Sequence, residues 1–108
     1  LKLIKNLSET ETQVYVFLAA EGSHKGRNIA EALNLYKQQV YRSLKNLQGK
    51  GMVTATPEHP AHFSAVPFEK IIEQIIEVKL EQAKALQESK EELLANWQSI
   101  IKKKFTDS

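Results

Sequence analysis

Between Pro67 and Phe105 the chain contains neither glycine nor proline. At about 1.5 Å per residue, a continuous helix over that span reaches roughly 55 Å, far beyond any core that the rest of so short a chain could build. Pro67 suits a helix start, where its missing N–H would have no partner in any case. Apolar residues recur at Ile72, Ile75, Ile76, Leu80, Ala83, Leu86, Leu93, Leu94, Trp97, Ile100 and Ile101, a period of about 3.5 to 3.6 residues. A stripe of that length is poorly tolerated by a soluble monomer. Residues 67–108 are therefore expected to be a dimerisation helix, with Ile76, Leu80, Ala83, Leu86, Leu93, Trp97 and Ile100 at the interface. Lys79 and Lys90 interrupt the strict heptad, so a looser antiparallel or crossed pairing is expected in place of an ideal zipper.

Residues 1–66 must then fold as one small domain. "LSETE" is a capping box: the Ser8 hydroxyl accepts from the Glu11 amide while the Glu11 carboxylate reaches back to the Ser8 amide. A helix is expected from about Glu9 to Ala20, with Val14, Tyr15, Phe17 and Leu18 mostly on one face and Gly22 as terminator. A polar "EGSHKG" turn follows. "RNIAEALNL" sets Ile29, Ala30 and Leu33 at helical spacing for two turns, and Asn34 tolerates the left-handed conformation that ends helices. A second helix then runs over about 36–48. Its Val40, Leu44 and Leu47 fall within about 60° of one another, which makes them the core stripe. Two helices joined so tightly are a helix-turn-helix.

"GKG" at 49–51 ends that helix. "MVTATPEHPAHFSAVP" reads as a β-hairpin over about 52–66, with turn residues at its centre, Phe63 and Ala65 facing inward, and His62 and Ser64 facing outward. The fold expected is mainly α with a small β-hairpin, a winged helix-turn-helix followed by the long C-terminal helix.

Charge is unevenly placed. Residues 1–66 hold eight Lys or Arg against five Asp or Glu, whereas residues 67–108 hold seven against eight. Within residues 23–50 the ratio is six basic to one acidic, which points to a polyanion. On the second helix Gln38, Arg42 and Lys45 lie opposite the core stripe, Gln39 and Asn46 on one flank, and Lys37 and Tyr41 on the other. Surface helices commonly carry such residues; here they sit on the element that enters the major groove, where Arg and Lys read guanine and Gln and Asn read adenine. Gln38, Arg42 and Lys45 are thus expected to read bases. Lys37, Gln39, Tyr41 and Asn46 are assigned to flanking bases or phosphates. Lys25, Arg27 and Asn28 open the preceding helix, whose free amides favour a phosphate. His59 and His62 decorate the wing.

Other classes recede. Without cysteine there are no disulfides, thiolate metal sites or cysteine nucleophiles, and two histidines beside Glu58 do not close a tetrahedral metal site. No Gly-rich phosphate loop, H-E-x-x-H or G-x-S-x-G motif occurs. No catalytic residue, metal or cofactor is expected. No apolar run approaches the roughly 20 residues of a membrane span, and the N-terminus does not read as a signal peptide, so a cytoplasmic protein is expected.

"LSETETQVYVFLAA", "IAEALNL", "VYRSLKNLQGKGMV" and "HFSAVPFEKII" follow one another in the order and spacing of the TrmB-like family of archaeal transcriptional regulators, and the chain resembles it over roughly residues 7–76. The resemblance implies DNA binding through the second helix and the wing, and dimers joined through helices outside the wing. Two positions depart from the family pattern: Tyr36 stands where proline is common, and Gly49 where an acidic residue is usual. Long members add a sugar-binding domain with no counterpart among these residues, so sugar sensing does not carry over, and any effector is left unassigned. The expected partners are double-stranded DNA and a second copy of the chain. The rival reading is a winged-helix module that binds another protein through the long helix, with no DNA role.

Overall fold

The computed structural model describes residues 6–106. Among these, five helices and three short strands occur: α1 (Glu9–Glu21), β1 (His24–Lys25), α2 (Gly26–Leu33), α3 (Lys37–Gly49), β2 (Val53–Ala55), β3 (His62–Ala65), α4 (Phe68–Glu88) and α5 (Lys90–Thr106). The chain divides into two compact units, one ending at Glu73 and the other beginning at Gln74.

In the first unit α1 starts as its capping box dictates. The Glu11 amide donates to Ser8 Oγ and the Ser8 amide to Glu11 Oε1, both at 3.1 Å. α2 and α3 end in the same closure. Asn34 is left-handed (φ 55°, ψ 48°), with the Leu35 amide donating to the Ala30 carbonyl and the Asn34 amide to that of Glu31. After α3, Gly51 takes φ 75° while Met52 donates to Leu47 and Gly51 to Gln48. This paired 6→1 and 5→2 pattern satisfies carbonyls that a helix end leaves bare, and it drops Met52 into the core at 1% exposure.

The strands form one antiparallel sheet in the order β1-β3-β2. β2 and β3 are the expected hairpin, with Val53 opposite Ala65 and Ala55 opposite Phe63. β1 corrects the reading of "EGSHKG" as a plain turn: His24 pairs with Phe63 and Lys25 with His62. A two-residue strand has too little alternation to show in sequence. Lys25 consequently belongs to the sheet and caps α2 from outside it. Phe63 is buried, but Ala65 is only half-buried, as are His62 and Ser64, so the hairpin's faces differ less than alternation implied.

The core gathers Val14, Tyr15 and Leu18 of α1, Ile29 and Ala30 of α2, Val40, Leu44 and Leu47 of α3, and Met52, Val53 and Phe63 of the hairpin. Tyr15 donates its hydroxyl to the Val66 carbonyl at 2.7 Å, and its burial pushes the phenol pKa up. Ile71, in the first turn of α4, is fully buried, so the start of the long segment packs with the winged unit.

The second unit is the expected long helix throughout its described length except at Ser89, a single turn residue between α4 and α5. The break is slight: the Ser89 amide still donates to Ala85 at 3.1 Å and its carbonyl still accepts from Leu93 at 3.0 Å. Serine is a weaker helix former than the Glu, Lys, Leu and Gln around it. Ile76, Leu80, Leu86, Leu93, Leu94, Trp97 and Ile100 all remain exposed. No described helix is long and apolar enough to cross a membrane.

Candidate nucleic-acid interface

The candidate surface is built on α3. Tyr36 precedes it in extended conformation, and its amide donates to Gln39 Oε1 at 3.1 Å. This ties down one of the amides that a helix start leaves free, and it leaves Gln39 its amide hydrogens for a ligand. Val40, Ser43, Leu44 and Leu47 face the core. Gln38, Arg42 and Lys45 face outward and are exposed.

The two flanks of α3 meet different neighbours. On one side Gln39, Arg42 and Asn46 border a depression shared with Ser8 and Thr10 at the start of α1. On the other, Lys37 and Tyr41 line a concavity of about 240 Å³ together with Lys25, Arg27 and Pro60 of the wing. Three cations from three segments therefore converge on one notch. Asn28 is exposed on the first turn of α2 and does not line it.

Tyr41 holds that notch together. Its ring lies so close to Gly26 that a Cβ built there would sit 2.5 Å from Tyr41 Cζ and 2.7 Å from its hydroxyl. The same ring meets Phe63 of β3 edge-on, with centroids 6.4 Å apart and planes at 75°. One aromatic side chain thus joins α3, the start of α2 and the wing. Alternation along the hairpin marks Phe63 as inward-facing, and it is buried, but neither its contact with Tyr41 nor the need for Gly26 shows in sequence, because the stack is made across chain separations that a pattern does not report.

Electrostatics divides the basic residues. Lys50 is withdrawn from the cationic face: its ammonium lies 2.9 Å from Glu11 Oε1. Asn46 donates from Nδ2 to Glu11 Oε2, also at 2.9 Å, which leaves its carbonyl oxygen and second amide hydrogen for a ligand. Burial alone raises the Glu11 pKa, but hydrogen bonds from Lys50, the Ser8 amide and Asn46, with the Lys50 charge, bring it below the ordinary value. Among the described residues, Lys25, Arg27, Lys37, Arg42 and Lys45 have no carboxylate partner.

At the wing, His59 and Pro60 are exposed and joined by a cis peptide. The His62 amide donates to Thr56 Oγ1 at 2.9 Å, and its Nδ1 lies 3.4 Å from Glu58 Oε1. Among the described residues no group of three His, Asp or Glu gathers as a metal site.

A search of curated proteins finds no match. Residues 1–69 match the family profile described as the sugar-specific transcriptional regulator TrmB. The chain belongs to the TrmB family. Solved structures similar to this TrmB-family chain share its winged-helix fold. TrmBL2, an archaeal chromatin protein, superposes with TM-score 0.77 at 21% identity over 93% of this chain, which spans 38% of that one. The ST1889 protein of Sulfolobus tokodaii gives TM-score 0.63 at 22% identity, over 78% of this chain and 88% of that one. The Zalpha domain of Carassius auratus PKZ, solved in complex with Z-DNA, gives TM-score 0.52 at 29% identity, over 54% of this chain and 94% of that one.

Proposed function

We propose that this TrmB-family chain is a DNA-binding transcriptional regulator that acts in the cytoplasm as a homodimer, with α3 in the major groove and the wing at the backbone or minor groove. Gln38, Arg42 and Lys45 meet base edges. Lys25, Arg27, Asn28, Lys37, Gln39, Tyr41 and Asn46 meet flanking bases or phosphates, and His59 and His62 lie on the wing beside them. The observation that carries this reading is the set of five cations without carboxylate partners on α3 and the notch beside it, a surface that gains by meeting phosphates. The exposed stripe on α4 and α5 supports self-association: pairing two stripes removes apolar surface from water at about 25 cal/mol per Å².

The test is fluorescence anisotropy on duplex DNA across a salt series. Each neutralised phosphate releases counterions, so log affinity is expected to fall linearly with log salt, with a slope of about −0.9 per phosphate engaged. An affinity that stays level through a fewfold rise in salt rejects the DNA reading and favours the protein-binding module.

The similarity to a Zalpha domain supports a second reading, in which the winged unit takes a left-handed duplex. Circular dichroism of an alternating CG duplex, with and without the protein, separates the two: inversion of the spectrum on binding identifies the left-handed form.

A further inference from the structure

Among the described residues, the outer face of α1 is left largely uncovered, with Phe17 meeting His24 at 5.0 Å between ring centroids. Val14, Tyr15 and Leu18 bury its inner face, yet its outer face also carries apolar side chains, and Val16 is 49% exposed. Over residues 14–20 α1 is apolar on both faces, and a helical stretch of that kind is normally buried on both. Val16, Phe17 and Ala20, with Leu33 of α2, floor a groove of about 780 Å³ whose rim carries Glu9 and Glu21. None of the residues assigned to DNA lines it. An acidic rim repels nucleic acid and favours a cationic, apolar partner.

The same sequence holds a face of that chemistry. At about 100° per residue, Leu93, Leu94, Trp97 and Ile101 of α5 fall within an arc of about 100°, and Lys90 and Lys104 fall inside that arc, one toward each end of the helix. At about 1.5 Å per residue those lysines stand roughly 21 Å apart, and Glu9 and Glu21 roughly 18 Å apart. Trp97 lies midway between its two lysines, as Val16 lies near the middle of the groove.

We propose that α5 of a second copy occupies the α1 groove, with Lys90 and Lys104 at the two glutamates and Trp97 over Val16 and Ala20. Apolar burial supplies the affinity and the paired charges set the register. Each copy offers one groove and one helix, so a two-fold exchange satisfies both and closes the assembly. The proposal rests on the homodimer reading and refines it: the α5 half of the stripe goes to the partner's α1, which leaves Ile76, Leu80, Ala83 and Leu86 of α4 to pair with their counterparts.

The native chain has no cysteine, so introduced thiols report contacts without background. A Val16→Cys chain and a Trp97→Cys chain carrying tags of different size are mixed and oxidised, and a mixed cross-linked dimer is expected. Glu9→Lys with Glu21→Lys in the first chain should reduce its yield at least several-fold. Lys90→Glu with Lys104→Glu in the second should restore it. If Trp97→Cys links only to itself, or no link forms in a protein that sediments as a dimer, the groove proposal is overturned and the homodimer reading survives. Internal closure of a Val16→Cys, Trp97→Cys chain at nanomolar concentration would show its own helix in the groove and overturn the proposal too. A full chain that sediments as a monomer overturns both.

Discussion

At the scale of single residues, the Glu11 carboxylate caps α1 through Ser8 and binds Asn46 on α3 and Lys50 just after it. Its pKa in the fold lies below the usual 4.5, so as pH falls the unfolded chain takes up the proton first. The stabilisation is therefore complete above about pH 4.5 and is lost as pH drops through the lower, folded value. Glu11→Gln is expected to cost about 1–3 kcal/mol at neutral pH, the scale of buried hydrogen bonds to a charged group, and to flatten stability against pH below 4.5. Urea denaturation of both proteins at several pH values measures this; parallel profiles would dismiss the clasp. Base and phosphate contacts separate in the same way. Arg42→Ala is expected to reduce discrimination between sites by about 1–3 kcal/mol if its guanidinium pairs with a guanine, whereas Lys25→Ala weakens all sequences alike. Binding profiles over a randomised site library test this, and a uniform loss for Arg42→Ala would move it among the phosphate contacts.

At the scale of elements, Gly26 lies against the outer end of the Tyr41 ring, a side chain that is 45% exposed. In Gly26→Ala the new methyl would meet the Tyr41 ring, and displacing that ring is expected to cost about 1–3 kcal/mol, the range for overpacking, despite alanine's better helix propensity. Pairing it with Tyr41→Ser should recover much of the stability in a thermal melt. The sequence revealed those elements whose signals are local: the Ser8 capping box, the Asn34 turn, the Val40, Leu44 and Leu47 stripe, and the hairpin. It did not reveal β1, which exists because β3 offers it a partner, or the break at Ser89, which no glycine or proline marks. For the interface, the wheel of α3 separated outward from inward residues correctly. Lys50 and Asn46 could not be seen to turn toward Glu11, because that carboxylate arrives from another helix.

At the scale of the whole molecule, the distribution of exposed apolar side chains favours association. Leu80 is 66% and Leu86 63% exposed in the single chain, so Leu80→Glu with Leu86→Glu should change monomer stability by no more than about 0.5 kcal/mol for each substitution. The same pair is expected to lower dimer affinity by at least tenfold, which analytical ultracentrifugation reads directly. A two-fold dimer then calls for a pseudo-palindromic operator with half-sites about one helical turn, or a small multiple, apart. Unchanged sedimentation in the double variant would place the self-association elsewhere.

The Tyr41 ring, lying between Gly26 and Phe63, spaces α3 from the wing as the spacer of a caliper does. A caliper gauges width before it reads any marking. Under the proposed function, that spacing would select a duplex by its groove dimensions, whatever its sequence, before Arg42 or Gln38 came within reach of a base.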